Sequence, residues 1–241
     1  MSLNKELSIV IPCFNEGASV ARFERELLPV LSALGRSYEV LLVDDGSIDG
    51  SAQSMAELSR QHPEIKVLTH QHNRGLGCAL RSAFAAASGD WIAVLDADLT
   101  FHPRQLKALL EKQTATGADL VSGSPFLSAQ GMRDVSWIRR LPSLAINAFY
   151  RGLFDPGFSS YTPIFRLYGS NALKSIHLSS KGFEINAEIA VRFWLARRSL
   201  AEIPAVLETR QEGCSKLDRW RELKSHARLI LNLLGESRNA N

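Results

Sequence analysis

Short runs of Val, Ile and Leu alternate with stretches of helical spacing through the first half of this 241-residue chain, and this alternation constrains the fold most. The apolar runs predict strands at Leu7–Ile11, Glu39–Val43, Ile65–Leu68, Trp91–Leu95 and Leu120–Ser122. The intervening stretches predict helices at Ser19–Leu34, Ser51–Gln61, Gly77–Ala87 and Pro103–Thr116. Apolar strands that alternate with helices are typical of βαβ units. We therefore expect an α/β fold of Rossmann-like type, with a mostly parallel central sheet flanked by helices.

The composition excludes several classes of protein. Hydrophobic residues make up 45% and charged residues 22% of the chain, as in ordinary soluble domains. The net charge of +3 is too small to indicate a nucleic-acid partner. Three widely separated cysteines form neither a zinc knuckle nor a disulfide framework, which favours a reducing, cytoplasmic location. The longest charge-free apolar stretch, Leu141–Tyr150, is about half the roughly 20 residues that a membrane span needs.

The pattern is less regular after about Ser124. Ser124–Arg140 has no clear period and predicts a loop, and the residues from about Leu144 to Leu153 predict a helix. Strands are then predicted at Phe158–Tyr168 and Leu200–Thr209, and helices at Ile185–Ala196 and, last in the chain, Leu217–Leu234. The last of these is basic and amphipathic, so its outer side is either a solvated face or a surface that docks on a membrane.

Acidic residues follow two of the predicted strands. Asp44 and Asp45 close the second strand, and Asp96 and Asp98 follow the fourth in the sequence VLDADL. Ligands bind at the carboxyl ends of strands in open parallel sheets, so we expect these carboxylates to line a ligand site. Carboxylates without a His/Cys cluster suit a hard cation, Mg²⁺ or Mn²⁺, that also binds phosphate oxygens. Asp96 and Asp98 are the predicted metal ligands.

Two further features near these strands have simpler interpretations. His70 and His72 lack a spaced partner and are predicted to be surface residues. Asp49, followed by Gly50, is predicted to cap the helix that begins after it.

Four segments, IVIPCFNEG, VDDGSIDGS, NRGLGCALRSAF and DADLTFHP, follow one another across residues 8–104. In order and spacing they resemble the family 2 glycosyltransferases with a GT-A fold. The resemblance implies an enzyme that transfers a hexose from a nucleotide diphosphate sugar, either a UDP-sugar or a GDP-sugar, with inversion at C1. It also implies that the metal bound by Asp96 and Asp98 bridges the diphosphate, which makes Asp98 a catalytic residue.

The same resemblance assigns the nucleotide-binding residues. Pro12, Phe14 and Glu16 would line the base and ribose. Asp44 would accept a hydrogen bond from the base, and Asp45 would help to shape the same pocket. The turn at Gly75 would pass close beneath the nucleotide, where a side chain would obstruct the approach.

A looser resemblance covers about residues 139–217. RRLPSLAINAFYRGLF, FRLY, KGFEINAEIAVRFW and RQEGCSKL are similar to segments of the polyprenyl-phosphate branch, the dolichol-phosphate mannosyltransferase-like enzymes. The resemblance implies a polyprenyl phosphate acceptor, bound by the catalytic residues Arg210 and Lys216, with Arg139 or Arg140 as further candidates. An anionic acceptor needs no general base. With a hydroxyl acceptor, Glu188 or another acid would have to serve as the base.

These expectations define an organisation and leave alternatives open. We expect one domain over residues 1–241, with a nucleotide-sugar-binding half at 1–123 and an acceptor-side half with the C-terminal helix at 124–241. Four basic residues of that helix and three apolar neighbours would dock it at the inner face of the membrane: Arg219, Arg221, Lys224 and Arg228 beside Leu229, Ile230 and Leu233. The alternatives are a transferase acting on a glycan hydroxyl in cell-envelope polysaccharide synthesis and a non-catalytic nucleotide-sugar-binding module.

Overall fold

A seven-stranded mixed sheet forms the centre of the part of the chain that the structure, a computed structural model, describes: residues 5–128, 130–132, 137–155, 157–208 and 219–239. Its strands are β1 (Leu7–Cys13), β2 (Tyr38–Asp44), β3 (Ile65–Thr69), β4 (Trp91–Val94), β5 (Leu120–Ser124), β6 (Arg166–Gly169) and β7 (Leu200–Pro204). The order across the sheet is β3-β2-β1-β4-β6-β5-β7. Strand β6 is antiparallel to both β4 and β5, and the other neighbouring pairs are parallel. The predicted α/β class with a mostly parallel sheet is confirmed.

Helices cover both faces of the sheet. They are α1 (Gly17–Val20), α2 (Phe23–Glu26), α3 (Leu28–Ala33), α4 (Ser51–Gln61), α5 (Leu76–Ala86), α6 (Leu106–Thr116), α7 (Trp137–Leu153), α8 (Ser170–Lys174), α9 (Ile185–Leu195) and α10 (Arg219–Asn239). A short 3-10 turn at Pro103–Gln105 precedes α6. Alternate residues of β1 point to opposite faces, so Ile9 and Ile11 pack in one core and Val10 in the other. The first core includes residues of α1–α4 and α6, and the second includes residues of α5 and α7–α10.

The segment 19–34 was predicted as one helix and forms three short ones. Pro29 lies in the first turn of α3 and has no N–H to donate to the carbonyl of Arg25. A continuous helix would lose that bond and crowd the preceding turn, so the helix is interrupted before Pro29.

The predicted strand at Phe158–Tyr168 is wrong for most of its length, since β6 begins only at Arg166. The Arg166 side chain is completely buried and donates hydrogen bonds to the carbonyl oxygens of Ser160 and Tyr161. Because these carbonyl oxygens accept hydrogen bonds from the guanidinium, they do not pair with a neighbouring strand. The irregular segment before β6 therefore surrounds a buried cation.

Helix α7 begins at Trp137, inside the stretch predicted as a loop. It lies beside α10, where the Tyr150 hydroxyl and His226 Nδ1 are 3.0 Å apart in a buried contact. The apolar residues of α10 that were expected beside a membrane are Leu229, Ile230 and Leu233, and all three are buried in the core. That part of the docking prediction is wrong, because these side chains stabilise the domain. Among the described helices, none is both long enough and apolar enough to cross a bilayer.

Candidate active site

The predicted site residues come together at the point where the strand order reverses. From β1 the chain builds β2 and β3 on one side and then β4 on the other, so a crevice forms between the carboxyl ends of β1 and β4. Phe14 follows β1, Asp44 ends β2, and Asp96 lies two residues beyond β4. In open α/β sheets, this switch point is where ligands bind.

Asp96 and Asp98 lie on a tight turn with both side chains partly exposed, while Ala97 between them is buried. The turn is held by Thr100, whose amide donates to Asp98 Oδ1 at 3.1 Å and whose hydroxyl donates to Asp96 Oδ2 at 3.5 Å. Leu99 is buried and has a φ of +54°, an unfavourable conformation for a bulky residue. Strained backbone of this kind clusters at functional sites because the surrounding structure must hold it in place.

The donor set at this turn fits a hard divalent cation. Within the described residues, no group of three or more His, Cys, Asp and Glu side chains is arranged to hold a metal. A cation here would therefore take two carboxylates from the protein and its remaining ligands from water or phosphate oxygens. That is the usual coordination of Mg²⁺ and differs from the closed N/S sites of zinc.

The loops after β1 and β2 are connected by hydrogen bonds. The Asn15 amide donates to the Ser47 hydroxyl at 2.9 Å, and the Ile48 amide donates to Asn15 Oδ1 at 2.8 Å. Asp44 is buried and accepts a hydrogen bond from the Ser47 amide at 2.9 Å. Pro12, Phe14 and Glu16 are partly exposed along the same edge. The predicted base-and-ribose residues therefore lie, partly exposed, beside two loops that hydrogen bonds hold together.

Asp49 was predicted to cap α4, but the N-cap position is Gly50, and Asp49 supports the first turn from the position before it. Its carboxylate accepts hydrogen bonds from the amide and hydroxyl of Ser51, the first residue of α4. Burial acts to raise the pKa of Asp49, but these hydrogen bonds outweigh it and hold the pKa below its usual value.

Asp45 acts on the turn that follows β3. Its carboxylate accepts hydrogen bonds from the amides of Arg74 and Gly75 at 3.0 and 2.8 Å, and it lies 2.6 Å from His70 Nδ1. The opposite ring nitrogen of His70 is 2.9 Å from the Ser82 hydroxyl, and the His70 side chain is 8% exposed. The prediction of His70 as a surface residue is therefore wrong. Asp45 can shape a nucleotide pocket through the turn that it holds.

The glycines of that turn face another part of the chain. Gly75 has a φ of +90°, and a Cβ there would lie 2.5 Å from the carbonyl oxygen of Lys181. A Cβ on Gly77 would collide with the carbonyl of Ser180, and the Gly77 amide donates to the Lys181 carbonyl at 2.8 Å. The close approach predicted for a nucleotide is thus already made by the 180–181 backbone. A nucleotide contact at Gly75 remains a prediction.

Glu188 of α9 fixes the segment that meets these glycines. Its carboxylate accepts hydrogen bonds from the amides of Ser179 and Ser180 at 3.0 and 2.8 Å and from Arg192 Nε at 3.0 Å. Burial acts to raise the pKa of Glu188, but these donors outweigh it and lower the pKa below its ordinary value. Glu188 is completely buried with its oxygens engaged, so the geometry argues against it as a general base.

The structure describes the chain on the acceptor side as far as Glu208, just before the predicted residue Arg210. The Ala205 amide donates to the Ser124 carbonyl at 3.0 Å, and the Glu208 amide donates to the Thr100 carbonyl at 2.8 Å. The second hydrogen bond holds Glu208 against a residue only two positions after Asp98. Arg210 and Lys216 lie outside the described residues, as do the side chains of Arg139 and Arg140 on α7.

One supporting residue gave no signal in the sequence. Arg22, between α1 and α2, donates from Nη2 to the backbone carbonyl of Asp98 at 3.1 Å. It belongs to no acidic or glycine-rich motif, and its partner is 76 positions away. Only the folded chain brings the two together.

These features define an α/β protein with acidic side chains at the switch point of its sheet. The family model described as Glycosyl transferase family 2 matches residues 8–176, which is more than half of the chain. The chain belongs to this family and is a transferase.

Two solved structures illustrate the likeness in fold. Glucosyl-3-phosphoglycerate synthase from Mycobacterium tuberculosis, in complex with Mn²⁺ and UDP-glucose, aligns with a TM-score of 0.68 and 20% identity, covering 95% of this chain and 78% of that one. A mannosyltransferase from Pyrobaculum calidifontis, in complex with GDP-Man and Mn²⁺, aligns with a TM-score of 0.61 and 16% identity, covering 99% of this chain and 65% of that one. The match supports the predicted GT-A fold.

Proposed function

We propose that this transferase moves a hexose from a nucleotide diphosphate sugar to a phosphorylated acceptor, with polyprenyl phosphate as the favoured acceptor. The observation that carries the proposal is the partly exposed pair Asp96 and Asp98 on a strained turn at the switch point. The two solved relatives, which bind UDP-glucose or GDP-Man together with Mn²⁺, support a nucleotide-sugar donor and a divalent cation here.

The donor nucleotide lies across the carboxyl ends of β1, β2 and β4. Pro12, Phe14 and Glu16 contact the base and ribose from the rim, and Asp44 accepts a hydrogen bond from the base. Asp45 contributes through the turn at Gly75, which its carboxylate holds in place. Because the connected loops leave little to order on binding, the pocket suits tight recognition of the nucleotide.

Asp96 and Asp98 are the residues that would hold Mg²⁺ or Mn²⁺. When bound there, the cation would supply Lewis-acid stabilisation of negative charge on the leaving nucleoside diphosphate. Thr100 and the Asp98–Leu99 turn keep the two carboxylates oriented toward the crevice before the donor arrives. Fixed charges of this kind need little reorganisation during the reaction.

The acceptor is an anionic phosphate oxygen. It forms a bond to C1 of the sugar as the bond from C1 to the diphosphate oxygen breaks, and that electron pair leaves with the nucleoside diphosphate. Attack on the face opposite the leaving group inverts C1. No proton is removed from the acceptor, which agrees with the burial of Glu188.

Arg210 and Lys216 are proposed to bind the acceptor phosphate. Arg grips phosphate through two parallel hydrogen bonds, and Lys supplies a compact charge. The hydrogen bond from the Glu208 amide to the Thr100 carbonyl supports this role. It holds the chain, two residues before Arg210, against a residue two positions after Asp98.

A small phosphorylated acceptor is the second candidate. One solved structure of the mycobacterial synthase contains glycerol 3-phosphate beside UDP-glucose and Mn²⁺. Transfer to its phosphate oxygen would follow the same chemistry at C1, whereas transfer to one of its hydroxyl groups would require a base. A glycan hydroxyl acceptor is less favoured because it requires a base, and Glu188 is not accessible for that role.

Nucleoside diphosphate release tests the proposal. UDP-glucose and GDP-mannose are each incubated with Mn²⁺ and with polyprenyl phosphate, glycerol 3-phosphate or an oligosaccharide. We expect metal-dependent release that polyprenyl phosphate stimulates most, and a loss of about 100-fold or more in Asp98→Asn. Asp119→Asn is the matched control, because Asp119 precedes β5 and so lies at the amino end of a strand, away from the carboxyl ends that carry Asp98. Full turnover in Asp98→Asn would contradict the metal assignment, and stimulation by oligosaccharide alone would contradict the acceptor.

A further inference from the structure

Helix α7 has an apolar outer face exposed to solvent. Seven residues at helical spacing form it: Leu141, Leu144, Ala145, Ala148, Phe149, Gly152 and Leu153. The four large side chains are between 39% and 56% exposed, and no charged residue lies among the seven positions. A surface helix normally turns its apolar stripe toward the core, and α7 has a second apolar side that does this through Tyr150. Burial within the domain therefore does not account for the outer face.

Helix α10 extends this surface. Leu223 and Leu231 are 51% and 71% exposed, and Lys224 and Arg228 are exposed beside them. The two helices meet at the Tyr150–His226 contact. Both also pack on α9: the rings of Phe154, which follows α7, and Trp194 are 6.0 Å apart, and Glu236 pairs with Arg192 at 2.9 Å. Neighbouring helices on one layer present their outer sides in the same direction.

The excess of positive charge in the sequence is concentrated on these two helices. Together α7 and α10 contain eight of the 28 basic residues and two of the 25 acidic ones, a balance of +6. The rest of the chain, with 20 basic and 23 acidic residues, has a balance of −3. A cationic surface that also exposes large apolar side chains is complementary to an anionic lipid surface.

We propose that the outer face of α7, together with Leu223 and Leu231 of α10, docks on an anionic lipid bilayer. The apolar side chains enter the boundary between headgroups and acyl chains, and the basic residues contact lipid phosphates. A second copy of the chain is a poorer occupant, because pairing through this face would bring together two pairs of helices whose sequences each have a balance of +6. The reason for docking rests on the proposed function, since a polyprenyl phosphate lies in a bilayer. The docking itself is tested by vesicle binding, which does not require enzyme turnover.

Co-sedimentation of the full chain with vesicles tests the docking. We expect binding to vesicles of equal parts phosphatidylglycerol and phosphatidylcholine, weaker binding at high salt, and little binding to phosphatidylcholine alone. The double variant Leu144→Ser/Phe149→Ser should bind at least about tenfold more weakly. The double variant Lys224→Gln/Arg228→Gln should lose roughly tenfold to thirtyfold on anionic vesicles. Ile48→Ser, a substitution of an apolar residue 89% exposed in another region, should leave binding unchanged.

Three results would overturn the docking: no binding to anionic vesicles, undiminished binding in Leu144→Ser/Phe149→Ser, or a dimer in sedimentation velocity that this variant dissociates. All the substituted side chains are exposed, and thermal unfolding of each variant checks that the fold is kept. UDP and Mn²⁺ binding are measured on the same proteins. A variant that loses vesicle binding but still binds UDP and Mn²⁺ supports the docking, whichever acceptor the enzyme uses. A wild-type chain that binds vesicles but neither UDP nor Mn²⁺ also supports the docking and rejects only the proposed transfer reaction.

Discussion

The guanidinium of Arg22 donates a hydrogen bond to the backbone carbonyl of Asp98 at 3.1 Å, from the side of the turn that faces the protein interior. Arg22 is also paired with Glu26 at 3.2 Å, and its side chain is largely buried. The carbonyl that it binds immediately precedes Leu99, whose positive φ makes the turn unfavourable in isolation. Arg22 therefore stabilises the backbone conformation that orients the Asp98 carboxylate.

Replacing Arg22 should weaken metal binding. We expect Arg22→Met to lower the affinity for Mn²⁺, measured by calorimetry in the presence of UDP, by about tenfold or more, and Arg22→Lys to recover part of the loss. Arg25→Met is the matched control, because Arg25 is 76% exposed on the neighbouring helix and meets Glu26 only at 4.0 Å. Wild-type Mn²⁺ affinity in a folded Arg22→Met protein would rule out this positioning role.

A methyl group at Gly77 should destabilise the chain and disturb the turn that follows β3. Its Cβ would collide with the Ser180 carbonyl, so either α5 or the 180–181 segment must shift. We expect Gly77→Ala to reduce the free energy of unfolding in urea by about 2 kcal/mol or more. Gly152→Ala is the control, since open space surrounds that position in α7, and it should stabilise the chain by up to about 1 kcal/mol. Equal effects of the two substitutions would contradict this account.

Glu39 should make stability depend on acid pH. Burial acts to raise the pKa of its carboxyl, but hydrogen bonds from Lys66, Ser88 and Ser8 outweigh it and lower the pKa from 4.5 to about 2. A pKa lowered by folding stabilises the native state above the unfolded value. This contribution, about 3 kcal/mol, is therefore complete above about pH 4.5 and is lost as the pH falls toward 2.

Urea unfolding between pH 7 and pH 3 measures this effect. Glu39→Gln should be less stable than the wild type at pH 7 and should lose less stability on acidification. Glu111→Gln, at an exposed carboxylate 3.8 Å from Lys107, should keep the wild-type pH dependence. Parallel pH curves for Glu39→Gln and the wild type would exclude this role for Glu39.

Lys216 should affect the acceptor more than the donor. If it binds the acceptor phosphate, Lys216→Ala removes one charge-assisted hydrogen bond, and the acceptor KM should rise about tenfold while the donor KM stays within about twofold. Lys107→Ala, at a lysine 75% exposed on α6, is the control. Equal increases in both KM values would mean that Lys216 does not act on the acceptor side.

The first four strands and the acidic residues at their ends could be predicted because the information is local. Runs such as Leu41–Val43 are buried on both faces and read as strands directly. The parallel order then brings Asp44 and Asp96 to one edge without further assumptions. The contact of Asp49 with the start of α4 is equally local, since its partner Ser51 is two residues away.

What could not be predicted depends on contacts between distant parts of the chain. The side chain of His70 is largely buried because Asp45, 25 positions earlier, holds it, and no periodicity encodes that pair. The strand expected before Arg166 is absent because a buried guanidinium uses the carbonyls of Ser160 and Tyr161. A close approach was predicted at the glycines of the turn after β3, and the backbone that approaches them belongs to residues 180–181. Sequence patterns identify which positions are constrained, while the fold supplies the constraining partner.

The position of β6 has a consequence for how the protein is made. Strand β6 lies between β4 and β5, although it is synthesised after both. Until residue 169 leaves the ribosome, the nascent chain holds β4 with an open hydrogen-bonding edge, which can pair with other chains. We therefore expect premature termination between residues 124 and 166 to give insoluble products. Insertion of the reversed strand β6 joins β4 to β5 before β7 and the last helices are synthesised.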